Sequence, residues 1–308
     1  MKKHLLSISD LSREEMERLI GEAVVMKRGF ASQILSGKTL ALLFEKPSLR
    51  TRVSFDMAMY QLGGHAIYLS PEEVGLGKRE PASDIARVLS RYVSGIVART
   101  FSHDTLYALA EHSSVPVINA LSDLEHPCQA LSDLLTIHEK KGRLPGLTLA
   151  FIGDGNNVAN SLLLAASATG MNFCIASPRG YEISRRILRQ GQEFAALSGS
   201  QIRLTNEPGE AAKEADVIYT DVWTSMGQEA EAEKRRVAFS GYQVDNRLLD
   251  LAKQDALFMH PLPAHRGEEV SEELLDDPRS VVFDQAENRL HLQKALLSTI
   301  LLPANCRV

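Results

Sequence analysis

The stretch Glu45-Lys46-Pro47-Ser48-Leu49-Arg50-Thr51-Arg52 sets two hydroxyls and two guanidiniums at the start of an amphipathic run. If that run is helical, its first N–H groups and the positive end of its dipole meet the same spot, which suits a phosphate. A capped helix with solvated arginines would leave the same pattern. Arg99 closes the apolar run Gly95-Ile96-Val97-Ala98. An arginine buried at a strand end needs an anion, or a carboxylate in a structural ion pair. His126-Pro127-Cys128-Gln129 offers an imidazole and a carboxamide, both able to hydrogen-bond a carbonyl or an amide. Alone, such a loop histidine is more often structural than catalytic.

The second half carries a different set. Phe151-Ile152-Gly153-Asp154-Gly155-Asn156-Asn157-Val158 reads as strand, glycine turn and helix start. A dinucleotide-binding turn needs G-x-G-x-x-G and an acidic residue about 20 positions further on for the ribose. Only Gly-Asp-Gly is present, and the next strand ends at Ala176-Ser177-Pro178 without an acid. NAD(P) binding by an oxidoreductase is therefore disfavoured, and Asn156 and Asn157 suit a polar small molecule. Asp221 precedes Val222-Trp223-Thr224-Ser225-Met226-Gly227-Gln228-Glu229. A carboxylate at a strand's end can hold an ammonium, accept its proton, or simply cap a helix. In His260-Pro261-Leu262-Pro263-Ala264 the prolines stiffen a loop whose carbonyls lack ladder partners and can accept from an amine or amide. Arg289, in Glu287-Asn288-Arg289, adds a cation early in the last helix. The histidines are dispersed without ligand spacing, so no metal site is expected. No Ser/His/Asp arrangement stands out.

These residues need a frame. Ser12-Arg13-Glu14-Glu15 reads as a capping box, followed by Met16, Leu19, Ile20, Ala23 and Val24 at helical spacing, with Gly29 as a stop. Apolar runs at Thr39–Phe44, Ala66–Leu69, Gly95–Ala98 and Val115–Asn119 predict strands. Helices are predicted over Arg52–Gln61, 83–92, 103–112 and 129–140. Lys141-Gly142-Arg143-Leu144-Pro145-Gly146 breaks the pattern and marks a domain boundary. Beyond it, strands at Leu147–Ile152, Phe173–Ala176, Ile202–Leu204, Val217–Thr220, Ala256–Met259 and Val281–Phe283 alternate with helices near 158–169, 181–197, 209–215, 229–237 and 245–253. A last helix spans about 286–301. Short buried runs separated by helices imply two doubly wound α/β domains with parallel sheets, 1–140 and 141–285. In such domains ligands lie beyond the carboxyl ends of the strands, where the residues above stand.

The 308 residues suffice for two such domains, and 44% hydrophobic with 24% charged residues is a soluble globular profile. A net charge of -5 without a basic block argues against nucleic acid. Cys128, Cys174 and Cys306 form no disulfide framework, which fits a reducing cytoplasm. The apolar start ends at Ser9-Asp10, too short for a signal peptide. No run approaches the roughly 18 apolar residues of a membrane span.

In order, these segments resemble the aspartate/ornithine carbamoyltransferase family, and most of all its ornithine branch, over nearly the whole chain. The family's Ser-x-Arg-Thr-Arg stands at Ser48 to Arg52, its His-Pro-x-Gln at His126 to Gln129, and the ornithine branch's Asp-x-Trp-x-Ser-Met-Gly at Asp221 to Gly227. The resemblance implies transfer of a carbamoyl group from carbamoyl phosphate to the side-chain amine of L-ornithine, in arginine biosynthesis or in the deiminase direction, without cofactor or metal. It places carbamoyl phosphate on Ser48, Leu49, Arg50, Thr51, Arg99, His126, Gln129, Pro261, Leu262 and Arg289. It places ornithine on Asn157, Asp221, Ser225 and Met226, with Arg99, His126, Asp221, Pro261 and Leu262 at the reacting atoms. It also implies that the last helix, 286–308, returns to the first domain. Subunits would form a homotrimer, with the loop Pro71 to Glu80 of each reaching a neighbour. Two features depart from the pattern. The ornithine branch usually has His-Cys-Leu-Pro where this chain has His260-Pro261-Leu262-Pro263, which removes a thiol that helps position and deprotonate the amine. Glu73 stands where relatives often carry glutamine.

Overall fold

The computed structural model describes residues 3–29, 33–76, 79–225 and 227–302. The chain falls into two compact units, Met1–Leu135 with Glu287–Val308, and Thr136–Ala286.

In the first unit, helix α1 (Arg13–Lys27) opens on the predicted capping box: the Ser12 hydroxyl accepts from Glu15 N, and Glu15 accepts from Ser12 N. Then follow β1 (Thr39–Phe44), α2 (Leu49–Gln61), β2 (His65–Leu69), a short α3 (Pro71–Val74), α4 (Ala82–Leu89), β3 (Gly95–Arg99), α5 (His103–His112), β4 (Val117–Leu121) and α6 (Pro127–Lys141). The strands are parallel, in the order β2-β1-β3-β4. Side chains alternate between faces along a strand, so the unbroken burial of β3, and of β1 after its first residue, means that both faces are covered. The winding reverses between β1 and β3, and a ligand site is expected beyond their carboxyl ends. Helix α2 begins three residues before the predicted Arg52, which brings Arg50 and Thr51 into its first turn. The unassigned start of the chain adds a bridge to the sheet edge, since Leu5 N donates to Val117 O (2.9 Å) and Asn119 N donates to Leu5 O (2.8 Å).

The second unit contains β5 (Thr148–Ile152), α7 (Asn157–Ala168), β6 (Asn172–Ala176), α8 (Arg185–Ser198), β7 (Ile202–Thr205), α9 (Pro208–Ala212), β8 (Val217–Thr220), α10 (Ala232–Ala238), α11 (Asn246–Leu249) and β9 (Leu257–Met259). Its parallel sheet runs β7-β6-β5-β8-β9, with the reversal between β5 and β8. Against one part of it pack Trp223, Phe239, Tyr242 and Val244. Helix α8 starts later than predicted because Ser184 caps it, and α11 is one short turn opened by Asp245. The expected strand Val281–Phe283 is corrected. Its valines favour a strand by β-branching, but the edge strand β9 has three residues and offers one bridge, Phe258 to Ser280. Helix α12 (Val282–Leu301) begins directly after that bridge.

From Glu287 onward α12 belongs to the first unit. There Lys294 Nζ donates to Met26 O (3.1 Å), and Thr299 Oγ1 to Glu22 (3.1 Å). Among the described residues no helix is long and apolar enough to cross a membrane.

Candidate active site

At the reversal point of the first unit, Ser48 precedes α2 without capping it, and its hydroxyl goes to Thr51 Oγ1 instead (2.9 Å). Among the described residues nothing accepts the N–H groups of Leu49, Arg50 or Thr51. Unclaimed N–H groups and the dipole make this helix end receptive to an anion. The Leu49 side chain is 75% exposed, so Leu49 offers such an anion its backbone. Arg289, from α12, donates to Thr51 Oγ1 (2.6 Å). Arg99 ends β3, paired with Phe44 at the end of β1.

The electrostatics of this spot are lopsided. Burial, then the charges of Arg289 and Arg50, pull the Arg99 guanidinium down to about 10. Burial, then Arg289 and Arg99, push the His126 imidazole well below its ordinary range, so the ring is neutral at neutral pH. Burial likewise lowers Arg50, which makes no hydrogen bond or ion pair among the described residues. A guanidinium held down by burial and by two neighbouring positive charges gains from a multiply charged anion. Gln129, buried at the start of α6, gives its amide N–H to Asp133 (2.8 Å), and its carbonyl oxygen accepts nothing among the described residues. That oxygen can take an N–H from a ligand. Thus Ser48, Arg50, Thr51, Arg99, His126 and Arg289 lie near one another in the first unit. Arg52 does not: it lies over the Tyr68 ring, 3.9 Å from the centroid. The sequence reading missed Lys46, nearly buried and 4.4 Å from the Phe101 ring centroid.

At the reversal point of the second unit, Asp221 follows β8. One carboxylate oxygen accepts from Asn156 Nδ2 (2.8 Å), the other from Val222 N (2.9 Å). Burial raises its pKa, a shift that the neighbouring His260, Asn156 and Val222 only partly offset. Among the described residues no cationic side chain reaches ion-pair distance of it. A buried carboxylate without a counter-charge is costly, and a bound ammonium would repay that cost. Asn156 also caps α7 through its carbonyl oxygen, which accepts from Val158 N and Ala159 N. Asp154 is taken by Arg235 (2.6 Å), which leaves it unavailable to a ribose. Ser225 N donates to Gln228 Oε1 (3.1 Å). Met226 lies outside the described residues. Trp223 is a core residue, stacked on Phe239 at 5.7 Å.

The loop after β9 is fixed from inside. Leu262 N donates to His260 Nδ1 (2.9 Å), which leaves the ring proton on Nε2, 3.2 Å from Glu269 Oε1. His260 N donates to Gln285 Oε1 (2.9 Å) and His265 N to Glu269 Oε1 (2.6 Å). Leu262 has φ 56°, and the Leu262–Pro263 peptide is cis. Glu269, nine positions from His260, went unnoticed in the sequence. His265, Glu268 and Glu269 bring ligand-type atoms within 4.8 Å of one another, but Glu269 already serves as the acceptor for this loop.

The first unit thus offers an anion-receptive helix end, and the second a buried carboxylate with no cationic side chain at ion-pair distance among the described residues. Residues 3–139 match the carbamoyl-P binding domain of aspartate/ornithine carbamoyltransferases, and residues 145–300 match the Asp/Orn binding domain. The chain belongs to the aspartate/ornithine carbamoyltransferase family. It is 52% identical to the ornithine carbamoyltransferase of Thermococcus kodakarensis over 303 residues, 97% of this chain and 96% of that one. It is 54% identical to the ornithine carbamoyltransferase of Anoxybacillus flavithermus over the same shares. The structure of the Pyrococcus furiosus ornithine carbamoyltransferase matches with a TM-score of 0.94 at 50% identity, covering 97% of this chain and 96% of that one.

Proposed function

We infer that this chain transfers the carbamoyl group of carbamoyl phosphate to the side-chain amine of L-ornithine, yielding L-citrulline and phosphate, in arginine biosynthesis. The observation that carries the choice of amine is Asp221, a buried carboxylate with two hydrogen bonds and no cationic partner among the described residues. A free side-chain ammonium supplies that partner, whereas a second carboxylate, as in aspartate, would be repelled. The full-length relatives named ornithine carbamoyltransferase support the same reading.

Carbamoyl phosphate is assigned to Ser48, Leu49, Arg50, Thr51, Arg99, His126, Gln129 and Arg289 of the first unit, and to the carbonyls of Pro261 and Leu262. Ornithine is assigned to Asn157, Asp221, Ser225 and Met226. The amine of ornithine, with an ordinary pKa near 10, must lose a proton before it attacks. Asp221 holds and orients it, and the proton leaves to solvent or to the departing phosphate. As nitrogen bonds to the carbamoyl carbon, Arg99, Thr51 and neutral His126 stabilise the oxyanion. Gln129 accepts from the carbamoyl amide. The carbon–oxygen bond to phosphate then breaks, and Arg50, Arg289 and the α2 N–H groups receive the phosphate. We place the enzyme in the cytoplasm as a homotrimer in which residues 71–80 serve a neighbouring subunit, a point sedimentation would test.

The test is product analysis with carbamoyl phosphate and a panel of amines: ornithine, N-acetylornithine, putrescine and aspartate. Citrulline should dominate. A better substrate among the other three, or no carbamoylated product at all, would overturn the reading.

A further inference from the structure

Arg235 lies on α10, outside every sequence motif considered above, yet its side chain is only 7% exposed. Its Nη1 donates both to Asp154 Oδ2 (2.6 Å) and to the carbonyl of Trp223 (2.9 Å). Its Nε reaches Glu231 (3.3 Å), and its guanidinium lies 5.0 Å from the Tyr181 ring centroid. The two acceptors on Nη1 are informative. Asp154 stands two residues before Asn156, whose Nδ2 holds Asp221. Trp223 stands two residues after Asp221. The contacts therefore close into a ring: Arg235 to Asp154, along the β5–α7 turn to Asn156, across to Asp221, along the chain to Trp223, and back to Arg235.

We propose that Arg235 is a positioning residue for ornithine: it latches the turn after β5 to the segment after β8, so that Asn156 and Asp221 meet at hydrogen-bond distance. This deepens the assignment of Asp221 to the substrate ammonium and rests on it. A planar guanidinium supplies two directed donors from one nitrogen and a third from Nε while stacked on a ring; an ammonium does not reproduce that fork. With the latch gone, Trp223 and Glu231 lose their shared anchor, and the loop between them, which contains Gly227 at φ 95°, is freed to carry Asp221 away from Asn156.

Trp223 is the chain's only tryptophan, so the latch carries its own reporter. Arg235→Gln, Arg235→Lys and Asp154→Asn are compared with wild type for the KM of each substrate and for tryptophan emission and acrylamide quenching. Hydrogen bonds from charged groups are strong enough that Arg235→Gln should raise the ornithine KM about tenfold or more. The carbamoyl phosphate KM should stay within about twofold, the signature of one lost binding site rather than general damage. Emission should shift red and quenching should increase. Arg235→Lys should recover part of the ornithine KM, and Asp154→Asn should fall between. An unchanged ornithine KM in folded Arg235→Gln overturns the proposal, even if emission shifts, since the contact is then only structural. Equal changes in both KM values overturn it as well. If wild type forms no citrulline, the assignment of the reaction falls by itself. Unchanged Trp223 emission in Arg235→Gln refutes the latch in either case.

Discussion

Replacing Asp221 with asparagine preserves shape and removes one charge. In the native carboxylate both oxygens accept, from Asn156 Nδ2 at 2.8 Å and from Val222 N at 2.9 Å. The amide can keep the bond from Val222, but its NH2 would face the Asn156 NH2, whose own oxygen is committed to capping α7. One hydrogen bond, worth about 1 kcal/mol, is lost. Against this, a buried charge with no cationic partner among the described residues disappears, which offsets a cost of similar size. The unfolding midpoint should therefore move by no more than about 3 °C, given a conversion of about 2–4 °C per kcal/mol for a unit of this size. Function should respond very differently. A desolvated ammonium that loses its only counter-charge costs about 3–5 kcal/mol. That corresponds to a fall of roughly a hundredfold to a few thousandfold in kcat/KM for ornithine. The KM for carbamoyl phosphate should hardly change, because its candidate residues Arg50, Arg99 and Arg289 belong to the other unit. A colorimetric citrulline assay at several ornithine concentrations, beside a thermal melt, separates the two effects. A fall of less than about tenfold with an unchanged melt would mean that the ammonium is held elsewhere.

Because burial raises Asp221 above its unfolded value, its contribution to stability is full below the unfolded pKa and is lost as pH rises through the native one. Asp221→Asn should flatten that part of the stability-versus-pH curve, as measured by urea melts across the acidic range. Arg50→Ala should raise the carbamoyl phosphate KM by about tenfold or more while leaving the ornithine KM near its wild-type value, because a charge-assisted phosphate contact is worth about 1.5–3 kcal/mol. Pro261→Cys should keep or increase turnover and add an ionisable thiol to its pH profile; a large loss would assign the proline loop to another substrate. Burial pushes the Cys128 thiol up to about 12 and also raises Cys174, so iodoacetamide at pH 8 should label both only after unfolding, as peptide mass mapping would show.

The strands were legible where burial is two-sided, because β1, β3 and β5 write themselves as unbroken apolar runs. The capping box of α1 was legible because both of its bonds join residues three apart. Legibility failed where the deciding partner is remote. The valines at 281 and 282 carry strand propensity, and only the three-residue length of β9 shows that the edge has nothing more to pair with. Arg52 looks equivalent to Arg50 in the sequence; Tyr68, on another element, claims one and leaves the other. Arg235 and Asp154 are 81 positions apart, and no local pattern marks such a pair. The candidate anion-receptive helix end was read from Ser48 to Thr51 because a helix N-terminus concentrates its chemistry in consecutive residues, whereas Arg289 reaches Thr51 from α12.

The bonds around the proline at 261 explain how the loop accommodates it. Each described hydrogen bond that fixes the loop passes through a residue other than 261. Leu262 N goes to His260 Nδ1, His260 N to Gln285, His260 Nε2 to Glu269, and His265 N to Glu269. Proline has no N–H to offer, and this network asks for none at that position. What proline removes is a group that could titrate, and in its place stands a stiffer chain whose carbonyl at 261 remains available. The loop's geometry is thus separable from the thiol's chemistry. The geometry belongs to the His260 ring and the buried Glu269 bonded to it, and the proposed partner of the substrate ammonium is Asp221.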